Sequence, residues 1–218
     1  MHSSSNIAKY IDHTNLKPFA KYEDIEKLCK EAIEYGFYSV CVNPFYVRFA
    51  KENLKNTQVK VCSVVGFPLG ANTLKTKLTE ATNASYDGAD ELDIVWNIGA
   101  FKSGKYNYVE EELKTIISYT ENCVHKIIVE TAYLTEEEKI KAVEIVKNSG
   151  AEFIKTSTGF APKGANIADI KLFKTVSEGK LKVKAAGGIR DYKTAVEMIK
   201  AGADRIGTSH AIDIIKSA

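Results

Sequence analysis

The chain has 218 residues and a mass of 24.1 kDa, room for one large domain or two small ones. Hydrophobic residues make up 44% and charged residues 27%, the ordinary composition of a soluble globular protein with a sizeable core. A net charge of +2, with lysines spread along the chain, gives no footing for nucleic acid or a membrane surface, and no apolar run reaches membrane-spanning length.

Cys29, Cys41, Cys62 and Cys123 lack C-x-x-C spacing, which points to buried free thiols in a reducing compartment and not to disulfides or a metal site. No signal peptide is visible, and the serine-rich start over residues 1–5 reads as a disordered terminus or an expression remnant. A cytoplasmic protein is expected.

One alternation repeats along the chain: an amphipathic helix, a glycine, then a short β-rich run. A first strand falls near Tyr10 to Thr14. Ile25, Leu28, Cys29, Ala32 and Ile33 follow the i, i+3, i+4, i+7 pattern of a helix that stops at Gly36. A strand over 37–42 breaks at Asn43-Pro44, and a short helix over 45–54 leads to a strand over 59–66 closed by Phe67-Pro68-Leu69-Gly70. Leu74, Leu78 and Ala81 mark a helix ending near Gly88. A strand over 91–97 follows, with a loop through Gly99 and Gly104. Val109, Leu113, Ile116 and Ile117 form the next helical stripe, followed by a strand over 126–130. Thr135 with Glu138 is a capping box, and Ile140, Val143 and Val146 are the expected buried face of its helix. Gly150 delivers the chain to Phe153-Ile154-Lys155-Thr156-Ser157-Thr158-Gly159-Phe160, a strand that carries a lysine and ends in a small-polar turn. Asn166 caps a helix running to Gly179, and a strand over 181–186 ends at Gly187-Gly188. Asp191 caps a helix with Tyr192, Ala195, Val196 and Ile199 inward. A strand over 204–207 and a helix from about Ala211 complete the chain.

Strict alternation of strand and helix demands a parallel sheet with right-handed crossovers. Eight such units in one chain favour a closed (β/α)8 TIM barrel, a single α/β domain over 1–218, above a doubly wound sheet.

The active site of such a barrel lies at the C-terminal ends of its strands, and inward strand residues are normally apolar. Three strands break that habit. Asp93 lies on the face opposite Leu92 and Ile94, Lys155 shares a face with Phe153 and Ser157, and Lys184 stands just before the Gly-Gly turn. Any one of these could be a surface or paired charge, but three near one end form a chemical cluster. A free lysine, with a pKa of about 10.4, is almost wholly protonated at neutral pH. A neighbouring ammonium and a low-dielectric cavity both favour the neutral amine that a nucleophile needs, while Asp93 could keep the second lysine charged and move protons.

The turns Thr158-Gly159, Gly187-Gly188 and Gly207-Thr208-Ser209 expose backbone at neighbouring strand ends, where barrels often bind phosphate. A metal centre is not expected: His2 is terminal, His125 precedes the fifth strand at the wrong end, and only His13 and His210 could approach the site. The residues alone leave open an aldolase acting on any of several sugar phosphates, another phosphate-binding barrel enzyme, or an inactive barrel that binds a phosphorylated ligand.

The sequence resembles the deoxyribose-phosphate aldolase family along nearly its whole length. The motifs that carry the likeness are Ile11-Asp12-His13-Thr14, Val40-Cys41-Val42-Asn43-Pro44, Val65-Gly66-Phe67-Pro68-Leu69-Gly70, Glu91-Leu92-Asp93, Asn97-Ile98-Gly99-Ala100, Glu130-Thr131-Ala132-Tyr133-Leu134-Thr135, Phe153 to Phe160, and Lys184-Ala185-Ala186-Gly187-Gly188-Ile189-Arg190. The resemblance implies a lyase of class I, needing no cofactor and no metal, that cleaves 2-deoxy-D-ribose 5-phosphate to D-glyceraldehyde 3-phosphate and acetaldehyde in deoxyribose phosphate catabolism. It makes Lys155 the Schiff-base residue and Asp93 and Lys184 its proton-transfer partners. It places Gly159, Gly187, Gly188, Gly207 and Ser209 around the substrate phosphate, and Asp12, Thr14, Cys41 and Thr156 around the sugar pocket. The implied partner is a small-molecule sugar phosphate, and the implied assembly a homodimer.

The chain departs from the family pattern in places. Phe160 replaces a lysine that some members carry, leaving one phosphate cation unaccounted for, with Lys163 as a substitute. Residues 161–166 lack the expected Gly/Thr-rich pattern, and His210 stands where a second serine is common.

Overall fold

The computed structural model describes residues 7–218; the serine-rich stretch over 1–5, with His2, lies outside the described residues. Eight parallel strands close into one barrel in sequence order: β1 Ile11–Asn15, β2 Ser39–Val42, β3 Lys60–Val65, β4 Glu91–Val95, β5 Val124–Ile128, β6 Phe153–Lys155, β7 Lys182–Ala186 and β8 Arg205–Thr208. The pairing of β1 with β8, Asp12 opposite Gly207, completes the ring. The helices of the outer layer are α1 Tyr22–Tyr35, α2 Val47–Asn53, α3 Leu74–Tyr86, α4 Ile98–Lys102, α5 Tyr106–Ser118, α6 Glu136–Ser149, α7 Ile167–Val176, α8 Tyr192–Lys200 and α9 Ala211–Lys216. None of the described helices is long and apolar enough to cross a membrane.

Local chemistry sets the helix ends. Thr135 and Glu138 form the full reciprocal capping box of α6, and the side chains of Asn166 and Asp191 accept from the N–H groups of Asp169 and Thr194 to open α7 and α8. Gly36 and Gly150 end α1 and α6 in the left-handed conformation.

Three readings of the sequence change. The segment taken as a loop through Gly99 contains α4, because the Asn97 carboxamide accepts from the N–H of Ala100 at 2.9 Å and caps a turn of helix there. The helix expected over 45–54 is a 3-10 turn, Pro44–Tyr46, followed by α2. Of the face of α6 expected to be buried, Val143 and Val146 are buried but Ile140 is exposed, and Lys139 and Ala142 face inward. Lys139 can occupy that face because its amine pairs with Asp169 of α7 at 2.7 Å.

The apolar core lies between the barrel and its helices. Trp96, at the end of β4, is fully buried, stacks on Phe101 of α4 at 4.4 Å and donates its indole N–H to the carbonyl of Val129. All four cysteines are free and buried. The barrel interior itself is much less apolar.

Candidate active site

Parity along each strand sends Asp12, Glu91, Asp93, Lys126, Phe153, Lys155, Lys184 and Arg205 into the barrel. The register places Asp93 beside Lys126, and Lys155 beside Lys184. All these charged side chains are buried, with Asp93, Lys126 and Lys184 fully so. Asp93 sits at the centre. Its Oδ2 accepts hydrogen bonds from Lys155 Nζ at 2.6 Å and Lys184 Nζ at 2.7 Å, while Oδ1 accepts from Lys126 Nζ at 2.9 Å and from the Cys62 thiol at 3.2 Å.

A second carboxylate supports the first. Asp12 Oδ1 accepts from Ser39 Oγ at 2.7 Å and Arg205 Nη1 at 2.8 Å, and its Oδ2 lies 2.5 Å from Lys184 Nζ. Arg205 also reaches Glu91 at 3.2 Å, and Glu91 pairs with Lys126 at 2.6 Å. Tyr38 covers the guanidinium, with the Arg205 carbon 3.4 Å from the ring centroid.

Burial alone would raise the Asp93 pKa, but Lys126, Lys155 and Lys184 outweigh it and hold this carboxyl well below the usual range. Asp12 is lowered in the same way, burial being overcome by Lys184 and Arg205. For Lys184, burial works against the charge, yet Asp12 and Asp93 raise its pKa and keep it an ammonium. Lys126 is raised well above its ordinary value, its burial outweighed by Asp93 first and then by Cys62 and Glu91.

This cluster holds three carboxylates against four cationic side chains. Fully ionised, it carries one positive charge too many for a dry interior. Lys184, Lys126 and Arg205 each contact two carboxylates, whereas Lys155 contacts only the shared oxygen of Asp93.

Above Lys155 opens a cavity of about 480 Å³ at the C-terminal ends of the strands. It is lined by Lys155, Thr14, Gly159, Gly187, Gly188, Gly207 and Ser209 among others, so these expected site residues meet on one wall. Asp93, Lys184, Asp12 and Cys41 are buried and off that lining, and Asp93 is joined to it through its contact with Lys155. Thr156 is also off the lining: its hydroxyl donates to the carbonyl of Ala186 at 3.3 Å and accepts from its N–H at 3.2 Å, bracing β6 against β7. His13 and His210 both border the cavity, His13 tied to Glu31 at 2.7 Å and His210 to Ser209 at 3.1 Å. His125 lies within β5, where its ring bonds to Thr120.

Gly187 takes φ 86° at the β7 turn, and the 161–166 loop packs down on it. Ala165 N–H reaches the carbonyls of Ala186 and Gly187, and a side chain at Gly164 would collide with the Gly187 backbone. Lys163 is exposed and off the cavity lining; besides Lys155, the lysine and arginine side chains that border it are Lys17, Lys27 and Arg190. Phe160 lines the cavity and is largely exposed, its ring edge-on to Phe67 with centroids 5.3 Å apart.

Cys41, Cys62 and Asp93 bring three donor atoms within 4.8 Å of one another. Both Asp93 oxygens already accept from ammonium or thiol donors, so a dication there would face three cationic lysines.

A family model described as DeoC/LacD family aldolase matches residues 6–216. The chain belongs to the DeoC/LacD aldolase family. It is 56% identical to the deoxyribose-phosphate aldolase of Thermococcus gammatolerans over 217 residues, 98% of this chain and 96% of that protein. It is 55% identical to the enzyme of the same name from Aquifex aeolicus, over 96% of this chain and 94% of that one. Among solved structures, the aldolase QR15 superposes with a TM-score of 0.94 at 54% identity, over 97% of this chain and 95% of that one. The deoxyribose phosphate aldolase of Aeropyrum pernix, described as having a unique tetrameric structure, superposes at 0.93 with 34% identity, over 100% and 92%. Within this family fold, Lys126 and Arg205 are charged partners outside the motifs quoted above, and Glu91, inside one of them, is a third that had no role assigned.

Proposed function

We infer that this aldolase reversibly cleaves 2-deoxy-D-ribose 5-phosphate to D-glyceraldehyde 3-phosphate and acetaldehyde by the class I route, in deoxyribose phosphate catabolism. The observation that carries the assignment of roles is the single carboxylate oxygen, Asp93 Oδ2, shared by Lys155 and Lys184 at 2.6 and 2.7 Å beneath the cavity.

The neutral Lys155 amine adds to C1 of the open-chain aldehyde, and loss of water leaves a protonated imine. A base takes the proton of the C3 hydroxyl, the C2–C3 bond breaks, and its electron pair moves into the imine to give an enamine. Glyceraldehyde 3-phosphate departs. Protonation at C2 and hydrolysis then release acetaldehyde and the free amine. The imine is the electron sink, so the residues need supply only protons and position.

Lys184 supports these steps as a charged proton donor beside Lys155. Asp93 is a weak base while three ammonium groups surround it, and it gains basicity as Lys155 gives up its charge. The Gly159, Gly187–Gly188 and Ser209 edge of the cavity, with Arg190 and Lys17 nearby, supports phosphate binding far from the breaking bond. Four buried free thiols favour a cytoplasmic setting, and the homodimer rests on the family resemblance.

The assignment is tested by borohydride reduction in the presence of acetaldehyde, followed by peptide mass mapping. The reduced two-carbon adduct is expected on the peptide containing Lys155 and absent from Lys155→Ala. An adduct on any other lysine, or none, overturns the assignment.

A further inference from the structure

Glu130 follows β5 by two residues, and nothing in the proposed chemistry uses it. Its backbone is left-handed, at φ 54° and ψ 71°, although it is not glycine, and its side chain is buried. Such a conformation is uncommon outside glycine and persists only where the surroundings enforce it. They do so here. The N–H groups flanking Glu130 continue the strand ladder, Val129 to the carbonyl of Lys155 at 3.1 Å and Thr131 to that of Thr156 at 2.9 Å. Between these two bonds the Glu130 side chain turns toward the end of β6.

There, Oε2 accepts two hydrogen bonds from one residue, from Thr158 N–H at 3.1 Å and from its hydroxyl at 2.5 Å. A carboxylate only accepts, so the Thr158 hydroxyl must donate. Its lone pair accepts from Phe160 N–H at 3.1 Å. Thr158 N–H, Thr158 O–H and Phe160 N–H are thereby all engaged inside the turn. Of that turn's backbone donors, only Gly159 N–H has no partner among the described residues, and Gly159 lines the cavity. Glu130 Oε1 is likewise buried without a hydrogen-bond partner.

A threonine hydroxyl beside a phosphate site would ordinarily be read as a ligand to it. A carboxylate is also an unwelcome neighbour for a phosphate unless it does something a neutral group does not. We propose that Glu130 is a positioning residue for the substrate phosphate: it takes Thr158 out of the phosphate shell and sets the 158–160 turn so that Gly159 N–H is its donor. The negative charge fixes the direction of both Thr158 bonds, which an amide able to donate would not. The inference deepens the functional reading above and rests on its phosphate site.

The test compares 2-deoxyribose 5-phosphate with unphosphorylated 2-deoxyribose in the full-length enzyme, as the ratio of their kcat/KM values. Glu130→Gln is expected to lower this ratio about tenfold, chiefly through KM for the phosphorylated sugar. It should also raise the inhibition constant of inorganic phosphate about tenfold. Thr158→Val, which removes the hydroxyl but keeps the shape, should do the same, and the double variant should be little worse than either single one. It also serves if Glu130→Gln fails to fold. Equal losses on both sugars would show a merely structural role and overturn the proposal, as would an unchanged ratio. A wild-type ratio near one, with no inhibition by phosphate, would instead remove the phosphate site itself, and the proposal with it.

Discussion

Gly207 and Lys184 occupy one space on neighbouring strands: a methyl group at 207 would stand 3.0 Å from Lys184 Cε and 3.2 Å from the Ala186 Cβ. The glycine therefore does more than line the cavity. It makes room for the lysine side chain to lie across β8 and reach both Asp12 and Asp93. Gly207→Ala must push Lys184 sideways within a fully buried setting. The displacement needed is a few tenths of an ångström, a fraction of the ~1 Å misplacement that costs about a hundredfold in rate. The expected result is a kcat reduced roughly threefold to tenfold with KM little changed, read by a coupled assay for glyceraldehyde 3-phosphate.

Lys126 offers a different test, because it touches two carboxylates but lies off the cavity. Lys126→Met leaves Glu91 without its closest partner and Asp93 with two cations in place of three. Removing one member of a buried ionic set costs about 3–5 kcal/mol. Urea unfolding should show a loss of that size. In whatever variant remains folded, Asp93 should titrate higher, moving the acid limb of the rate profile upward. An unaffected midpoint would show that Lys126 is not part of the ionic core.

The pH dependence of stability follows from the directions of the buried groups. Asp12 and Asp93 are depressed despite burial, so their contribution is complete above the unfolded value of about 3.9 and is lost as pH falls through their folded values. His13 and His125 are depressed by burial, so the folded state resists protons that the unfolded state accepts below about pH 6.5. Glu80 and Glu112, raised by burial, offset part of this acid decline. On the alkaline side, burial pushes the Cys29 thiol up to about 12 and Cys62 and Cys123 upward too, so stability is lost above the unfolded thiol value of about 8.5. Lys126 and Lys184, raised by their carboxylates, add a further loss above about pH 10.4. Calorimetry should therefore find the melting temperature nearly flat between about pH 6.5 and 8.5 and falling on both sides. A maximum near pH 5 would contradict this account.

Arg190 borders the cavity two residues past Gly188, in the turn proposed above for the substrate phosphate. Arg190→Ala should raise KM for the phosphorylated sugar about tenfold, the worth of one charged hydrogen bond, with the effect shrinking at high salt. A matched change with unphosphorylated 2-deoxyribose would assign Arg190 to something other than phosphate.

The eight-stranded barrel was legible because glycine-terminated helices alternate with β-rich runs, and each strand read from the sequence corresponds to one in the ring. Asp93, Lys155 and Lys184 stood out for a simple reason: each interrupts apolar neighbours near a strand's C-terminal end. Lys126 and Arg205 obey the same inward parity, but they stand first and second in the strands read from the sequence, 126–130 and 204–207, where a charge looks like a solvated strand entrance; in the structure Lys126 is level with Asp93. Parity applied to whole strands, not just their upper halves, would have found both. Glu130 was hidden differently. Its role depends on a left-handed backbone and on a threonine 28 positions away, a pairing that neither periodicity nor spacing encodes.

The ionic interior has a consequence for how this enzyme can change. In most barrels the packed lower layers can drift in sequence while the upper rim is refitted for new chemistry. Here Lys155, the proposed nucleophile, Lys184, its proposed proton donor, and the pairs that replace an apolar plug are one body of charge linking β1, β4, β5, β6, β7 and β8. A substitution in that body alters folding and reaction together, so laboratory evolution toward new aldehydes has its freedom at Leu16 and Phe160, where side chains border the cavity without entering the charged set.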